Sequence, residues 1–99
     1  MNFDQIRLFS SQIKIIAAKH GISQVYVFGS VARGENTPHS DVDLLVEMQE
    51  DASLFGMAGF GYETEKLLGV SVDVVPLSVL PQVSDQEFVL SIQREAIAL

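Results

Sequence analysis

Three aspartates stand inside segments whose other residues are typical of buried β-strands. Asp41 and Asp43 lie in the segment 40–46, SDVDLLV, and Asp73 lies in the segment 70–75, VSVDVV. Aspartate is depleted from strands, and residues two apart on a strand point to the same face. If Asp73 comes from a neighbouring strand, three carboxylates meet, and their repulsion raises at least one pKa unless a cation joins them. Such hard oxygen ligands suit Mg²⁺, which proteins commonly bind through carboxylates and the phosphates of a substrate. The pattern therefore predicts a metal–nucleotide site.

A Gly-Ser pair is the second feature that could do chemistry. Gly29 and Ser30 follow a β-rich run and precede a predicted short helix, so that backbone N–H groups and the Ser30 hydroxyl could approach a phosphate. Taken alone, such a pair is more often a tight turn, and Asp41 with Asp43 could equally be a turn cap followed by an exposed acid. The three features together, in this order and at these separations, are more specific than any one of them. The P-loop pattern is absent.

Hydrophobic periodicity and turn residues predict the elements that would position these residues. The predicted order is α-β-α-β-α-β-α, with helices over 3–19, 30–33, 51–68 and from residue 84 to the C-terminus, and strands over 25–28, 42–46 and 70–75. Three glycines weaken the helix prediction over 51–68. A capping box from Ser84 to Glu87 begins the final helix, which is predicted to bury Phe88, Ile92 and Ala96. Helices between strands imply layered packing on a small sheet, with the strand directions left open.

Composition narrows the function classes. The 99 residues, of which 47% are hydrophobic, predict a single domain over 1–99. The absence of cysteine excludes disulfides, thiolate chemistry and a cysteine-ligated zinc site. A formal charge of −7 argues against a nucleic-acid partner, because affinity for DNA and RNA depends mainly on basic side chains. No apolar run has the length of a membrane span and the N-terminus is unlike a signal peptide, so we expect a cytoplasmic protein with no membrane partner.

The composite motif resembles that of the minimal nucleotidyltransferases of the DNA polymerase β-like superfamily. Their signature, G-S-x-x-x-G followed by S-D-x-D-L and a later strand carboxylate, is matched by GSVARG at 29–34, SDVDLLV at 40–46 and VDVV at 72–75. The ending QREAI at 93–97 is also similar. The resemblance implies an α/β (α+β) nucleotidyltransferase fold with a small mixed β-sheet packed with helices. The implied activity is transfer of a nucleoside monophosphate from a nucleoside triphosphate, with ATP as the expected substrate.

The resemblance also implies roles for single residues. Gly29 and Ser30 would hold the β- and γ-phosphates. Asp41 and Asp43 would bind two Mg²⁺ ions, with Mn²⁺ as a possible substitute. Asp73 would share the second ion and take the proton of the acceptor.

Two further residues are candidates for phosphate binding. Arg33 falls within the first motif and could contact the triphosphate, although a salt bridge or a solvated helix face is an equal alternative. Ser40 is the first residue of the second motif, and for that reason it is included among the candidate phosphate-binding residues.

The acceptor is expected to come from another molecule, because only about two dozen residues follow Asp73. In minimal members of this superfamily a helical HEPN-type toxin supplies the acceptor, and the nucleotidyltransferase is the antitoxin that adenylylates a tyrosine on it. Two alternatives stay open: a non-catalytic module that neutralises a partner by contact, and an antibiotic-type enzyme completed by a separate subunit. The apolar residues 96–99 suit either a docking surface or core packing.

Overall fold

A four-stranded mixed β-sheet organises the chain, and the computed structural model describes it over residues 1–99. The helices are α1 (Phe3–Leu8), α2 (Ser10–Lys19), α3 (Gly29–Arg33), α4 (Leu54–Leu68) and α5 (Gln86–Glu95), with a 3₁₀ helix at Leu77–Gln82. The strands are β1 (Ile22–Phe28), β2 (Val42–Met48), β3 (Val72–Pro76) and β4 (Ile97–Ala98). None of the helices combines the length and the apolar character needed to cross a bilayer.

The sheet has the strand order β3-β2-β1-β4. β1 runs antiparallel to both β2 and β4, whereas β2 and β3 are parallel. The carboxyl end of β1 therefore meets the amino ends of β2 and β3 at one end of the sheet. The prediction of a small mixed sheet packed with helices is confirmed.

Each face of the sheet carries its own core. Along β2, Val42, Leu44 and Val46 join a large core with residues of α1, α2 and α4, whereas Leu45 joins a smaller core with residues of α5 and the 3₁₀ helix. Because alternate strand residues point to opposite faces, Asp43 shares the face of Leu45. Asp43 therefore lies on the face of the sheet that α5 covers.

The first predicted helix is wrong as a single element. α1 ends and α2 begins around Phe9, which has φ −96° and ψ 8° and donates its N–H to the Ile6 carbonyl at 2.9 Å. The two residues that follow, Ser10 and Ser11, are weak helix formers by type, whereas the apolar spacing continues across the break. Periodicity alone therefore did not reveal the junction.

The C-terminal prediction is corrected in three respects. The N-cap of α5 is Asp85 instead of Ser84, and its side chain accepts the Phe88 N–H at 3.1 Å. Val89 and Ile92 are buried, whereas Phe88 is 43% exposed. The helix stops before the C-terminus because Ala96 has an extended backbone.

The residues after α5 form a strand that the sequence analysis did not predict. β4 pairs with the outer edge of β1, where Tyr26 lies opposite Ala98 and Val27 opposite Ile97. Leu99 donates its N–H to the Val25 carbonyl at 3.0 Å. An open strand edge leaves backbone groups without partners, and this short strand satisfies some of them. The apolar C-terminus therefore belongs to the sheet.

The helix predicted over 51–68 is observed as α4, which begins three residues later at Leu54. Its glycines have a packing role. A β-carbon at Gly56 would lie 2.4 Å from the His20 carbonyl oxygen, at the end of α2. We expect Gly56→Ala to destabilise the fold by about 1–3 kcal/mol, because backbone atoms must move to admit the methyl group. Chemical denaturation measures this difference.

Gly61→Ala is the matched control in the same helix. A β-carbon there meets only Val74 Cγ2, at 3.4 Å, so the gain in helix propensity, up to about 1 kcal/mol, should offset any crowding. If Gly56→Ala and Gly61→Ala lowered the free energy of unfolding equally, close packing of α2 on Gly56 would be contradicted.

Candidate active site

Asp43 and Asp73 form a carboxylate pair at the end of the sheet where β1, β2 and β3 meet. They are directly paired across the parallel β2–β3 ladder, and their carboxyl groups lie within hydrogen-bonding reach, with a protonated Asp43 as donor. Burial, followed by the charges of Asp73 and Asp41, raises the pKa of Asp43 to about 6, against a smaller lowering by Arg33. The pair is therefore unfavourable when both members are ionised, and a cation would relieve it.

Asp41 occupies a different position from the pair. It is exposed and directly precedes β2, whose first residue Val42 donates its N–H to the Ser71 carbonyl at 2.9 Å. Its charge acts on the Asp43 carboxyl, but no three His, Asp or Glu side chains are grouped as ligands of a metal ion. The structure brings two of the three predicted carboxylates into contact, and a ligand role for Asp41 stays a prediction.

Gly29 allows the carboxylate of Asp43 to approach the β1–α3 turn. Phe28, the last residue of β1, is paired with Asp43, and Gly29 follows it with φ +74°. A β-carbon at Gly29 would lie 2.2 Å from Asp43 Oδ2, so a side chain is excluded by both the backbone conformation and the contact. The turn exposes its backbone beside the carboxylate pair.

A cavity of about 740 Å³ opens over this end of the sheet. The polar part of its lining includes Gly29, Ser30, Arg33, Asp43, Asp73 and Glu95. The apolar part includes Phe88 and Ile92 of α5. The volume lies within the range of small-molecule sites. Five predicted site residues therefore line the same cavity: Gly29, Ser30, Arg33, Asp43 and Asp73.

Arg33 lines the cavity and is held by two carboxylates. Its Nε donates to Glu35 Oε2 and its Nη1 donates to Glu95 Oε2, each at 3.0 Å. The hydrogen bond to Glu35, followed by that to Glu95, raises the pKa of the guanidinium above its usual value. The salt-bridge alternative is therefore observed, and a phosphate contact for Arg33 stays a prediction.

Ser40 lies outside the cavity lining. Its hydroxyl accepts the Thr37 N–H at 2.7 Å and lies 3.2 Å from Thr37 Oγ1, which stabilises the turn before β2. This arrangement resembles the side-chain-to-backbone bonds that serine commonly makes in turns. Phosphate binding by Ser40 stays a prediction.

Sequence reasoning missed the contribution of α5 to the cavity. Phe88, Ser91, Ile92 and Glu95 all line it, and their spacing of three, four and seven residues places them on one helical face. That spacing was readable in the sequence. The signal was obscured because Phe88 and Ile92 also suit a buried stripe, and only the packing of α5 separates the two interpretations.

Comparison with known proteins shows the family to which the chain belongs. The family model described as "Nucleotidyltransferase domain" matches residues 10–99. A protein from Methanocaldococcus jannaschii, MJ0435, provisionally named a protein adenylyltransferase, is 39% identical over 87 residues, which cover 87% of this chain and 90% of the relative. A solved structure provisionally described as a minimal nucleotidyltransferase is 37% identical, with a TM-score of 0.81 over 100% of this chain and 97% of the other. The chain belongs to the nucleotidyltransferase domain family and is an enzyme of that class.

A more distant structure shares the fold. It is a complex of a tri-AMPylated HEPN toxin from Shewanella oneidensis with an MNT antitoxin, matched with a TM-score of 0.62 at 15% identity over 93% of this chain and 69% of the other. At this identity the likeness concerns the fold alone.

Proposed function

We propose that this enzyme transfers AMP from ATP to a hydroxyl group on a partner protein. The observation that carries the proposal is the contact of Asp43 with Asp73 directly beside the Gly29 turn. A nucleotide in the cavity would place its triphosphate between backbone N–H groups on one side and paired carboxylates on the other. The relative MJ0435, whose provisional name specifies protein adenylylation, supports a protein acceptor.

The carboxylate pair fits a divalent cation by its chemistry. Two adjacent oxygen-donor groups, one with its pKa raised to about 6, gain from a positive charge between them. Asp43 and Asp73 would hold Mg²⁺ or Mn²⁺, with Asp41 as a further ligand. When bound, the metal would stabilise negative charge on the attacking and leaving oxygens of an in-line displacement at the α-phosphorus.

The remaining residues of the site would orient the reactants. The backbone at Gly29 and the half-buried Ser30 hydroxyl would bind the phosphates, and Arg33 retains donors that its two glutamates do not use. Asp73 is exposed, so an incoming hydroxyl can reach it and give up its proton there. Positioning and charge neutralisation would supply most of the rate enhancement.

A HEPN-type helical protein is the proposed partner, with a tyrosine as the acceptor. The AMPylated HEPN toxin in the structurally similar complex supports this choice. The formal charge of −7 would also favour association with a basic surface.

The test uses two labelled nucleotides. The chain is incubated with Mg²⁺, the product of the adjacent gene, and ATP labelled at either the α- or the γ-phosphate. We expect the partner to gain the α-label only, because AMP transfer releases pyrophosphate, and we expect Tyr→Phe variants of the partner to lose it. Gain of the γ-label, or no label on any partner hydroxyl, would contradict the proposal. Full neutralisation of the partner by an unreactive Asp43→Asn variant would favour a non-catalytic binding module instead.

Metal and nucleotide together should raise the melting temperature. A ligand that binds only the folded state stabilises it by mass action, and at about 100 times its Kd the gain is about 2.7 kcal/mol. Differential scanning fluorimetry with millimolar Mg²⁺ and ATP measures the shift. The Asp43→Asn/Asp73→Asn variant should show little of it, and an unchanged wild-type melting temperature would count against the metal–nucleotide site.

A further inference from the structure

Glu95 of α5 is joined to α3 through an ion pair with Arg33. Glu95 lies in the last turn of α5, and Arg33 lies at the end of α3, 62 residues earlier in the chain. Both residues line the cavity, and the Nη1–Oε2 distance is 3.0 Å. This ion pair therefore spans the cavity wall between two separate elements.

The two carboxylates that bind Arg33 differ in their surroundings. The Glu35 side chain is 67% exposed and lies two residues from Arg33, whereas the Glu95 side chain is 21% exposed. Exposed ion pairs contribute little because solvent screens them and the side chains lose freedom. Although the Glu35 hydrogen bond raises the pKa of Arg33 more, the contact with Glu95 is better protected from solvent and joins two separate elements, so we expect it to restrain the guanidinium more strongly.

We infer that Glu95 is a positioning residue for nucleotide binding: it holds the Arg33 guanidinium at the cavity wall with its unused N–H groups available to the triphosphate. Nε and one Nη1 hydrogen are engaged by the glutamates, which leaves the other guanidinium donors for phosphate oxygens. The inference rests on the proposed function of this cavity.

Glu95 has two opposing effects on a bound phosphate. Its negative charge repels the phosphate, whereas its hydrogen bond fixes the only basic side chain in the cavity lining. Arginine loses much side-chain freedom when it must be ordered by a ligand, and a preordered guanidinium avoids that loss. We expect positioning to prevail, because Glu95 is paired with the guanidinium at 3.0 Å and the second carboxylate on Arg33, that of Glu35, is largely screened by solvent.

Nucleotide affinity without an acceptor tests the inference. With AMP-PNP and Mg²⁺, we expect Glu95→Ala to raise Kd about tenfold, the equivalent of one charge-assisted hydrogen bond. Glu95→Gln keeps an acceptor for Nη1 and should stay within about threefold of wild type, and Glu35→Ala, the matched control on the exposed side, should do the same. In transfer assays Glu95→Ala should raise KM for ATP more than it lowers kcat.

The outcomes separate this inference from the proposed function. If the wild type binds AMP-PNP and transfers AMP but Glu95→Ala binds equally well or more tightly, the positioning role is overturned while the proposed function stands. Equal losses of AMP-PNP affinity in Glu95→Ala and Glu35→Ala would also overturn it. A Glu95→Ala variant with a lower melting temperature but an unchanged Kd would do the same. If the wild type binds no nucleotide, the proposed function fails and this inference fails with it.

Discussion

Replacing Asp43 by Asn is expected to lower the rate of AMP transfer at least about 100-fold, which is the usual effect of removing one preorganised electrostatic group from an active site. Without metal, the same variant is expected to be more stable than the wild type. Asp43 is the central member of the site: it contacts Asp73 across the β2–β3 ladder and approaches Gly29 across the β1–α3 turn. Asparagine keeps the size of the side chain and removes its charge. The loss should appear in kcat/KM measured with Mg²⁺ and saturating partner.

The stability gain of this variant should depend on pH in a defined direction. The pKa of Asp43 is about 6 in the fold against 3.8 ordinarily, so between these values the folded state retains a proton that the unfolded chain has released. The wild-type free energy of unfolding should therefore fall, relative to that of Asp43→Asn, as pH rises from about 4 to about 6, and stay lower above that range.

Solvent screening limits the size of this effect. For a half-buried carboxyl we expect about 1 kcal/mol at pH 7 without metal, or about 4–8 °C in melting temperature. Asp51→Asn, an exposed aspartate outside the cavity, is the control for general charge. If the difference in free energy of unfolding between Asp43→Asn and the wild type is the same at pH 4 and at pH 7, the raised pKa of Asp43 is contradicted.

Gly29→Ala is expected to abolish most of the activity and to destabilise the fold. The new methyl group would stand 2.2 Å from Asp43 Oδ2, in a backbone with φ +74°. The left-handed conformation alone costs about 1–2 kcal/mol for a non-glycine residue. The clash must also move the Asp43 carboxylate, and a displacement of about 1 Å at a reacting centre can cost about 100-fold in rate.

Gly34→Ala separates these two causes. Gly34 ends α3 with the same φ of +74°, but a β-carbon there meets nothing within 4 Å. This variant should lose a similar amount of stability from backbone strain and keep most of its AMP transfer. Equal activity in both alanine variants, measured well below their melting temperatures, would show that the close approach of Gly29 to Asp43 is not needed.

Local patterns were sufficient to single out residues that the structure brings together at one cavity. Two of the residues, Asp43 and Asp73, stood out because aspartate is rare in β-strands. Gly29 stood out because glycine commonly marks the turn at the end of a strand. Both signals can be recognised without coordinates. The helix over 51–68 was predicted despite its glycines, since its apolar spacing outweighed their low propensity. The structure then explained Gly56 as the place where α2 packs.

Features that depend on long-range pairing were not readable in this way. The short strand β4 exists only by pairing with the open edge of β1, far away in the chain. The break at Phe9 and the N-cap at Asp85 depend on local hydrogen bonds that hydrophobic spacing does not reveal. Helical spacing over the last residues was therefore interpreted as one continuous helix.

The sequence by itself determined which residues could bind a nucleotide and a cation, because side-chain type and turn chemistry are local properties. Only the tertiary structure decided which of them meet: a parallel β2–β3 pair and an antiparallel β1–β2 pair bring Asp43, Asp73 and Gly29 to one end of the sheet. It also placed Ser40 in its own turn and added Glu95 to the cavity. Strand direction and helix docking are set by the burial of whole faces against one another, and no single segment of the chain contains that information.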